Sequence, residues 1–167
     1  MILVAIGANL PAAGGASPLE TCEAAAVAVR RIPGPVFVAL SPWYRTAPIP
    51  RGRQPDYCNG MIRLEGEMAP EALLVALQAI EQSFGRARGE ANAARTLDLD
   101  IIDINGIVRA LPDPVLPHPR AHSRAFVLRP LLDVAPAWRH PVLRQSVATL
   151  LADLPPQAIQ PWSDAAG

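Results

Sequence analysis

The chain has 167 residues, half of them hydrophobic, with 15 basic and 15 acidic residues and a formal net charge of zero. That length allows one domain with a sizeable core, and the hydrophobic content excludes a wholly disordered chain. The charge balance excludes a broad non-specific nucleic-acid surface, and the absence of lysine excludes a P-loop enzyme.

In chain order, "MILVAIGANL" has no basic leader and only a short apolar run, so it reads as neither a signal peptide nor a membrane span. Residues 2–6 read as a buried strand ending at Gly7. Residues 18–31 are alanine-rich without a breaker and read as a helix that stops before Pro33. "VFVAL" at 36–40 reads as a second strand. Residues 42–56 contain four prolines, Gly52 and three arginines, and read as a loop. "YCNGMIRLEG" at 57–66 reads as a third strand. Pro70 suits the first position of a helix running to about Phe84, with Gly85 as its stop and Leu73, Leu74, Leu77 and Ile80 on one face. A polar loop over 85–95 leads to the strand "DLDII". "NG" at 105–106 signals a tight turn, "LPDPVLPHPRAH" a proline-dense loop, and 123–135 and 142–153 two short helices. Cys22 and Cys58 are isolated, with no CxxC and no Cys/His cluster, which points to a reduced cytoplasmic protein without a zinc site.

The order β-α-β-β-α-β is the ferredoxin-like arrangement of the α+β class: an antiparallel sheet with helices on one face, here followed by a C-terminal helical extension. One domain is expected over 1–167, with 155–167 a flexible tail.

"ARTLDLDII" at 94–102 carries the chemistry. Leu97, Leu99 and Ile101 alternate with Asp98 and Asp100, so both carboxylates share one face of a strand. Two like charges this close repel unless something neutralises them. Arg86, Arg88 and Arg95 stand in the loop just before. Carboxylates beside arginines suit a magnesium–polyphosphate site, in which Mg²⁺ takes one or two carboxylates and the guanidinium groups take the remaining phosphate oxygens. A solvated strand edge with weak surface ion pairs fits the same spacing equally well. Tyr57 and Asn59 lie on one strand face and can stack on, and hydrogen-bond to, a flat heterocycle. His118, Arg120, His122, Arg124 and Phe126 follow downstream, each unremarkable alone.

Together, "IGANL", "YRTAP", "QPDYCN", "GRAR", "ARTLDLDII", "LPHPR" and "SRAFVLRPL" occur in this order over about residues 2–136. The set resembles the 6-hydroxymethyl-7,8-dihydropterin pyrophosphokinase family of folate biosynthesis. The resemblance implies transfer of pyrophosphate from ATP to the hydroxymethyl group of a dihydropterin, leaving AMP. It also implies two Mg²⁺ ions held by Asp98 and Asp100, bridging the ATP phosphates. Tyr57 and Phe126 would sandwich the pterin, Asn59 would read its edge, and the backbone of Thr46, Ala47 and Ile49 would complete its hydrogen bonds. Arg86, Arg95, His118 and Arg124 match positions that grip the triphosphate. Arg88 sits in the same loop, and Gln78, Glu81 and Ile101 fall on the nucleotide side. Arg86 and Arg95 join the two aspartates as the catalytic set. ATP and the pterin would be the only partners, with no nucleic acid and no membrane, and the family resemblance favours a monomer.

The chain departs from the family pattern in two places. "GEANAAR" lacks the tryptophan and Gly-Pro frequent ahead of the "RT" pair and makes a shorter loop, which bears on lid closure and product release more than on chemistry. Pro119 stands where an aromatic is frequent. Three alternatives remain: a catalytically impaired pterin/ATP-binding homologue, a different DxD metal-dependent transferase, or an RNA-binding sheet. The last lacks its aromatic signature here.

Overall fold

The computed structural model describes residues 1–11, 14–47, 55–85 and 96–163. β1 (Ile2–Ala8) is followed by α1 (Pro18–Arg30), β2 (Val36–Leu40), β3 (Tyr44–Thr46), β4 (Tyr57–Glu65), α2 (Pro70–Ser83) and β5 (Asp98–Ile104). A 3₁₀ turn at Ala121–Ser123 then precedes α3 (Ala125–Val134), α4 (Val147–Ala152) and β6 (Ile159–Pro161). The sheet runs β5-β1-β4-β3-β6, with β2 also paired to β4, and every pairing is antiparallel. Its β1-α1-β2-β4-α2-β5 frame is the ferredoxin-like arrangement expected from the sequence.

Local signals set the helix ends. Ser17 and Glu20 form a reciprocal capping box at the start of α1, with Pro18 in its first turn. Pro70 opens α2, and Gly85, at φ +89°, ends it in the left-handed conformation that glycine adopts without strain. Asn105 and Gly106 both have positive φ, and Ile107 N–H closes the turn onto the Ile104 carbonyl at 2.9 Å.

β1 is buried on both faces. Ile2, Val4, Ile6 and Ala8 join Ile62, Leu64, Leu99 and Ile101 beneath Cys22, Ala25 and Val29 of α1 and Leu73 and Leu77 of α2. Leu3, Met61 and Ile102 face the other way, against Val127, Leu128 and Leu131 of α3 and Val147 and Leu150 of α4. The helical extension therefore covers part of the second face, which a sheet with helices on one face alone would leave bare. A bulge makes the two cores compatible. Val4 pairs with Ile101 and Leu3 with Asp103, so Ile102 is an extra residue. Asp103 turns inward, where its carboxylate accepts from Trp138 Nε1 at 3.2 Å and from Gly106 N–H at 3.2 Å. Burial pushes the Asp103 carboxyl above the usual carboxylate range.

The structure departs from the sequence expectation in three segments. β3 lies inside the proline-rich stretch read as loop, because pairing with β4 supplies hydrogen bonds that local composition does not advertise. The helix expected over 142–153 begins only at Val147, where Ser146 caps it through Thr149 N–H. Residues before it turn instead around His140, whose Nδ1 accepts from Val142 and Leu143 N–H at 3.1 and 3.0 Å. Arg144, at φ +58°, would break a helix there. Finally, β6 pairs with β3 in a segment whose composition suggested a loose tail.

Burial, and then the neighbouring His122, hold His140 below the ordinary histidine pKa. A buried neutral imidazole with a folded-state pKa below its unfolded value of about 6.5 costs stability as pH falls below about 6.5, because the unfolded chain then binds the proton more readily. The melting temperature is expected to drop between pH 7 and pH 5, and to drop less in His140→Asn, which keeps an acceptor for the two amides. Thermal melts across that range check this; an unchanged slope in the variant would assign the pH sensitivity elsewhere.

Candidate active site

Opposed residues of antiparallel strands share a face, so the register arranges the site in rows. Tyr44 pairs with Asn59, Asn59 with Gly7, and Gly7 with Asp98. The next row is Met61, Ala5 and Asp100, and the row on the other side is Thr46 and Tyr57. All lie on the face opposite α1 and α2. The second row begins at Met61, in the core under α3 and α4, and ends at Asp100; Asp100 and Asp98, which ends the first row, are both half-buried on β5.

Small residues open the centre. A Cβ on Gly7 would lie 2.9 Å from Asn59 Oδ1, so the absence of a side chain there lets the Asn59 amide lie over β1. Asn59, itself buried, donates through Nδ2 to Thr46 Oγ1 at 2.5 Å, which joins β4 to the end of β3. Beside it, the Tyr44 hydroxyl donates to Asp133, and Arg129 lies over the Tyr44 ring at 5.9 Å. Burial, followed by the bond to Asp133, raises the Tyr44 pKa. The proline-rich context hid Tyr44 from the sequence reading; its position two residues before Thr46 was the available signal.

The carboxylates are held from below. Leu97, Leu99 and Ile101 are buried on the α2 side, which leaves Asp98 and Asp100 on the opposite face. Between them, Leu99 N–H donates to Glu81 Oε2 at 3.1 Å. Glu81 is 2 % exposed, so its carboxylate is used in anchoring the strand, a role not foreseen from its place in the sequence. Gln78 is exposed on α2, one turn earlier, while Ile101 contributes its side chain to the first core.

His118 approaches β5 from the other edge, its N–H donating to the Ile102 carbonyl at 2.9 Å. Its Nδ1 accepts from Arg120 N–H at 3.2 Å, which assigns the ring proton to Nε2. Burial, and then the charge of Arg124, keep this imidazole below the ordinary histidine pKa, while Asp98 pulls the other way. These influences place Asp98, His118 and Arg124 in one electrostatic neighbourhood. Arg124 sits at the N-cap of α3, with its guanidinium 5.3 Å from the centre of the Phe126 ring. Phe126 is half-buried at the margin of the second core. Ala47 follows β3 directly. Ile49, Arg86, Arg88 and Arg95 lie outside the described residues.

An amide beside an aromatic ring, next to a pair of carboxylates with a histidine and an arginine at their margin, is chemistry suited to a flat heterocycle and a polyanion. Residues 3–136 match the family model of 7,8-dihydro-6-hydroxymethylpterin-pyrophosphokinase (HPPK), and the chain belongs to this family. It is 42% identical over 159 residues to the 2-amino-4-hydroxy-6-hydroxymethyldihydropteridine pyrophosphokinase of Pseudomonas aeruginosa, covering 95% of this chain and 94% of that protein. It is 35% identical over 156 residues to the enzyme of the same name from Synechocystis, covering 93% and 80%. The fold matches the crystal structure of Plasmodium falciparum HPPK-DHPS with pteroate at a TM-score of 0.67 and 13% identity, over 90% of this chain and 41% of that longer one. The protein is an ATP-dependent pyrophosphokinase: it transfers pyrophosphate from ATP to the hydroxymethyl group of 6-hydroxymethyl-7,8-dihydropterin in folate biosynthesis.

Gly7→Ala tests the geometry of the row. Its Cβ displaces the Asn59 amide, so the variant is expected to fold but to raise the KM for the pterin about tenfold or more, an effect of misplacing a binding group. Steady-state kinetics with each substrate varied in turn would show this; an unchanged pterin KM would remove Asn59 from the site.

Proposed function

We propose that Asp98 and Asp100 hold two Mg²⁺ ions against the ATP triphosphate, and that the pterin lies beside them on Thr46, Ala47, Ile49, Tyr57, Asn59 and Phe126. The row Asn59–Gly7–Asp98 carries this reading. Two strand spacings separate its ends, about 10 Å at ~4.8 Å each, the reach of a bicyclic ring plus its hydroxymethyl group. A ring read by Asn59 therefore brings its hydroxyl to the carboxylates.

The donor set fits a hard cation. The carboxylates of Asp98 and Asp100 stand at that end of the two rows, and the β1 neighbour of Asp100 is Ala5, whose small side chain leaves space above the strand. Mg²⁺ is commonly bound through one or two carboxylates together with waters and substrate phosphates, and this pair supplies that number. When bound, the ions would neutralise phosphate charge and align the reacting oxygens.

The chain's own groups do the rest. Tyr57 and Phe126 stack on the pterin, and Asn59 fixes which edge faces the sheet. His118, through its Nε2–H, and Arg124, Arg86, Arg88 and Arg95 take the phosphate oxygens. Gln78, exposed on α2, borders the nucleotide, while Glu81 and Ile101, both buried, support that side of β5 from beneath. The hydroxyl oxygen attacks the β-phosphorus and gives up its proton to solvent, the bond from the β-phosphorus to the oxygen bridging it to the α-phosphate breaks, and AMP leaves with that oxygen. No side chain stands out as a strong general base, so positioning and charge neutralisation carry the catalysis. The same reading takes residues 1–167 as one domain acting as a cytoplasmic monomer, with no nucleic-acid or membrane partner. The zero net charge argues against a broad nucleic-acid surface. Among the described residues no helix is long and apolar enough to cross a membrane.

Removing a charged group aimed at developing charge typically costs roughly 10²–10³ in rate. Asp98→Ala and Arg95→Ala are each expected to lower turnover at least that far. The readout is pterin-dependent AMP formation, with Mg²⁺ removed by chelator and restored as the control. Near-wild-type turnover by either purified variant would sink its assignment, and turnover that survives chelation would sink the metal site.

A further inference from the structure

The residues after 136 lie beyond the span matched by the family model, yet one of them touches the start of α3, where Arg124 and Phe126 stand. The first turn of a helix leaves backbone N–H groups without partners, and a Ser, Thr, Asp or Asn at the N-cap usually satisfies one of them. Arg124 occupies the N-cap of α3 and gives no side-chain cap. The missing acceptor comes from Gln157, whose Oε1 accepts from Ala125 N–H at 2.9 Å. Its Nε2 donates to the Ser123 carbonyl at 3.1 Å. One side chain thus brackets Arg124 from both sides, one residue before it and one after.

The same tail grips the opposite wall of the pterin subsite. Two residues on, Ile159 pairs with Thr46, Gln160 with Arg45 and Pro161 with Tyr44. Trp162 N–H donates to the Trp43 carbonyl at 2.9 Å, and Arg45 lies 4.2 Å over the Trp162 ring. The tail joins β3 at one end and the start of α3 at the other.

We propose that Gln157 is a positioning residue: it supplies the acceptor at the start of α3 that the Arg124 guanidinium cannot, and so holds the turn from which Arg124 and Phe126 reach substrate. The proposal rests on the roles assigned above to Arg124 and Phe126. A helix start that frays shifts both groups, and small displacements of binding groups cost rate far out of proportion to their size.

The test compares wild type with Gln157→Ala, Gln157→Glu, Arg124→Ala and Phe126→Ala, measuring kcat, the KM for each substrate and the melting temperature. Gln157→Ala is expected to raise the KM for ATP and for the pterin by about five- to tenfold, with a smaller change in kcat. Gln157→Glu keeps the acceptor for Ala125 N–H, where negative charge is favoured, but loses the donor to the Ser123 carbonyl, and is expected to bring both KM values part of the way back from those of Gln157→Ala. A purely structural role predicts a lower melting temperature with KM values unchanged, and that result overturns the proposal. If Arg124→Ala and Phe126→Ala raise the KM values and Gln157→Ala does not, the proposal alone fails. If neither of those two variants changes a KM, the site assignment fails and the proposal falls with it. Should Gln157→Ala not fold, Gln157→Met, which keeps the bulk without the acceptor, is read by the same criteria.

Discussion

The hydrogen-bonded register of β1 with β4 and β5 sets where the polar groups of the site stand, and aliphatic burial fixes that register. Side chains alternate along a strand, so a slip of one residue would send Asp98 and Asp100 into the core beneath α2 and expose Leu97, Leu99 and Ile101. Each of those three is at most 5 % exposed, and burying such a side chain is worth about 1.5–3 kcal/mol. The carboxylates could not choose their own position, since like charges on one face repel. They are held there by the hydrophobic side of the same strand.

The second face of the sheet is divided. Leu3, Met61 and Ile102 are covered by α3 and α4, while the rows through Tyr57, Asn59 and Asp98 lie beyond those cores. Arg124 and Phe126 sit at the start of α3, on the boundary between the two regions. Buried polar groups tie the strands to their neighbours on both faces. Asn59 links β4 to β3, Glu81 links α2 to β5, and Asp103 links β5 to Trp138. Leaving such a group without its partner costs about 1–3 kcal/mol, so each bond also works as a geometric lock.

This arrangement suits a reaction that needs two substrates aligned more than it needs a proton taken. His118 is kept neutral by burial and by Arg124, and its Nδ1 is already engaged by a backbone amide. It is therefore built as a directional donor rather than as a base. The cations of the chain are all arginine, whose planar fork can bind two phosphate oxygens at once.

Alternation, helix breakers and turn residues were enough to give the ferredoxin-like frame, the shared face of Asp98 and Asp100, the shared face of Tyr57 and Asn59, and the helix limits at Pro70 and Gly85. These are local properties, written in periods of two or of 3.6 residues. The short strand Tyr44–Thr46 was not legible, because three residues among prolines carry no period, and only β4 and β6 on either side make them a strand. Nor could the sequence show that Glu81 anchors Leu99, that Gly7 makes room for Asn59, or that Gln157 caps a helix 32 residues away. Each of those depends on a hydrogen bond or a close approach between distant segments, and such partners become neighbours only once the sheet and both cores have formed.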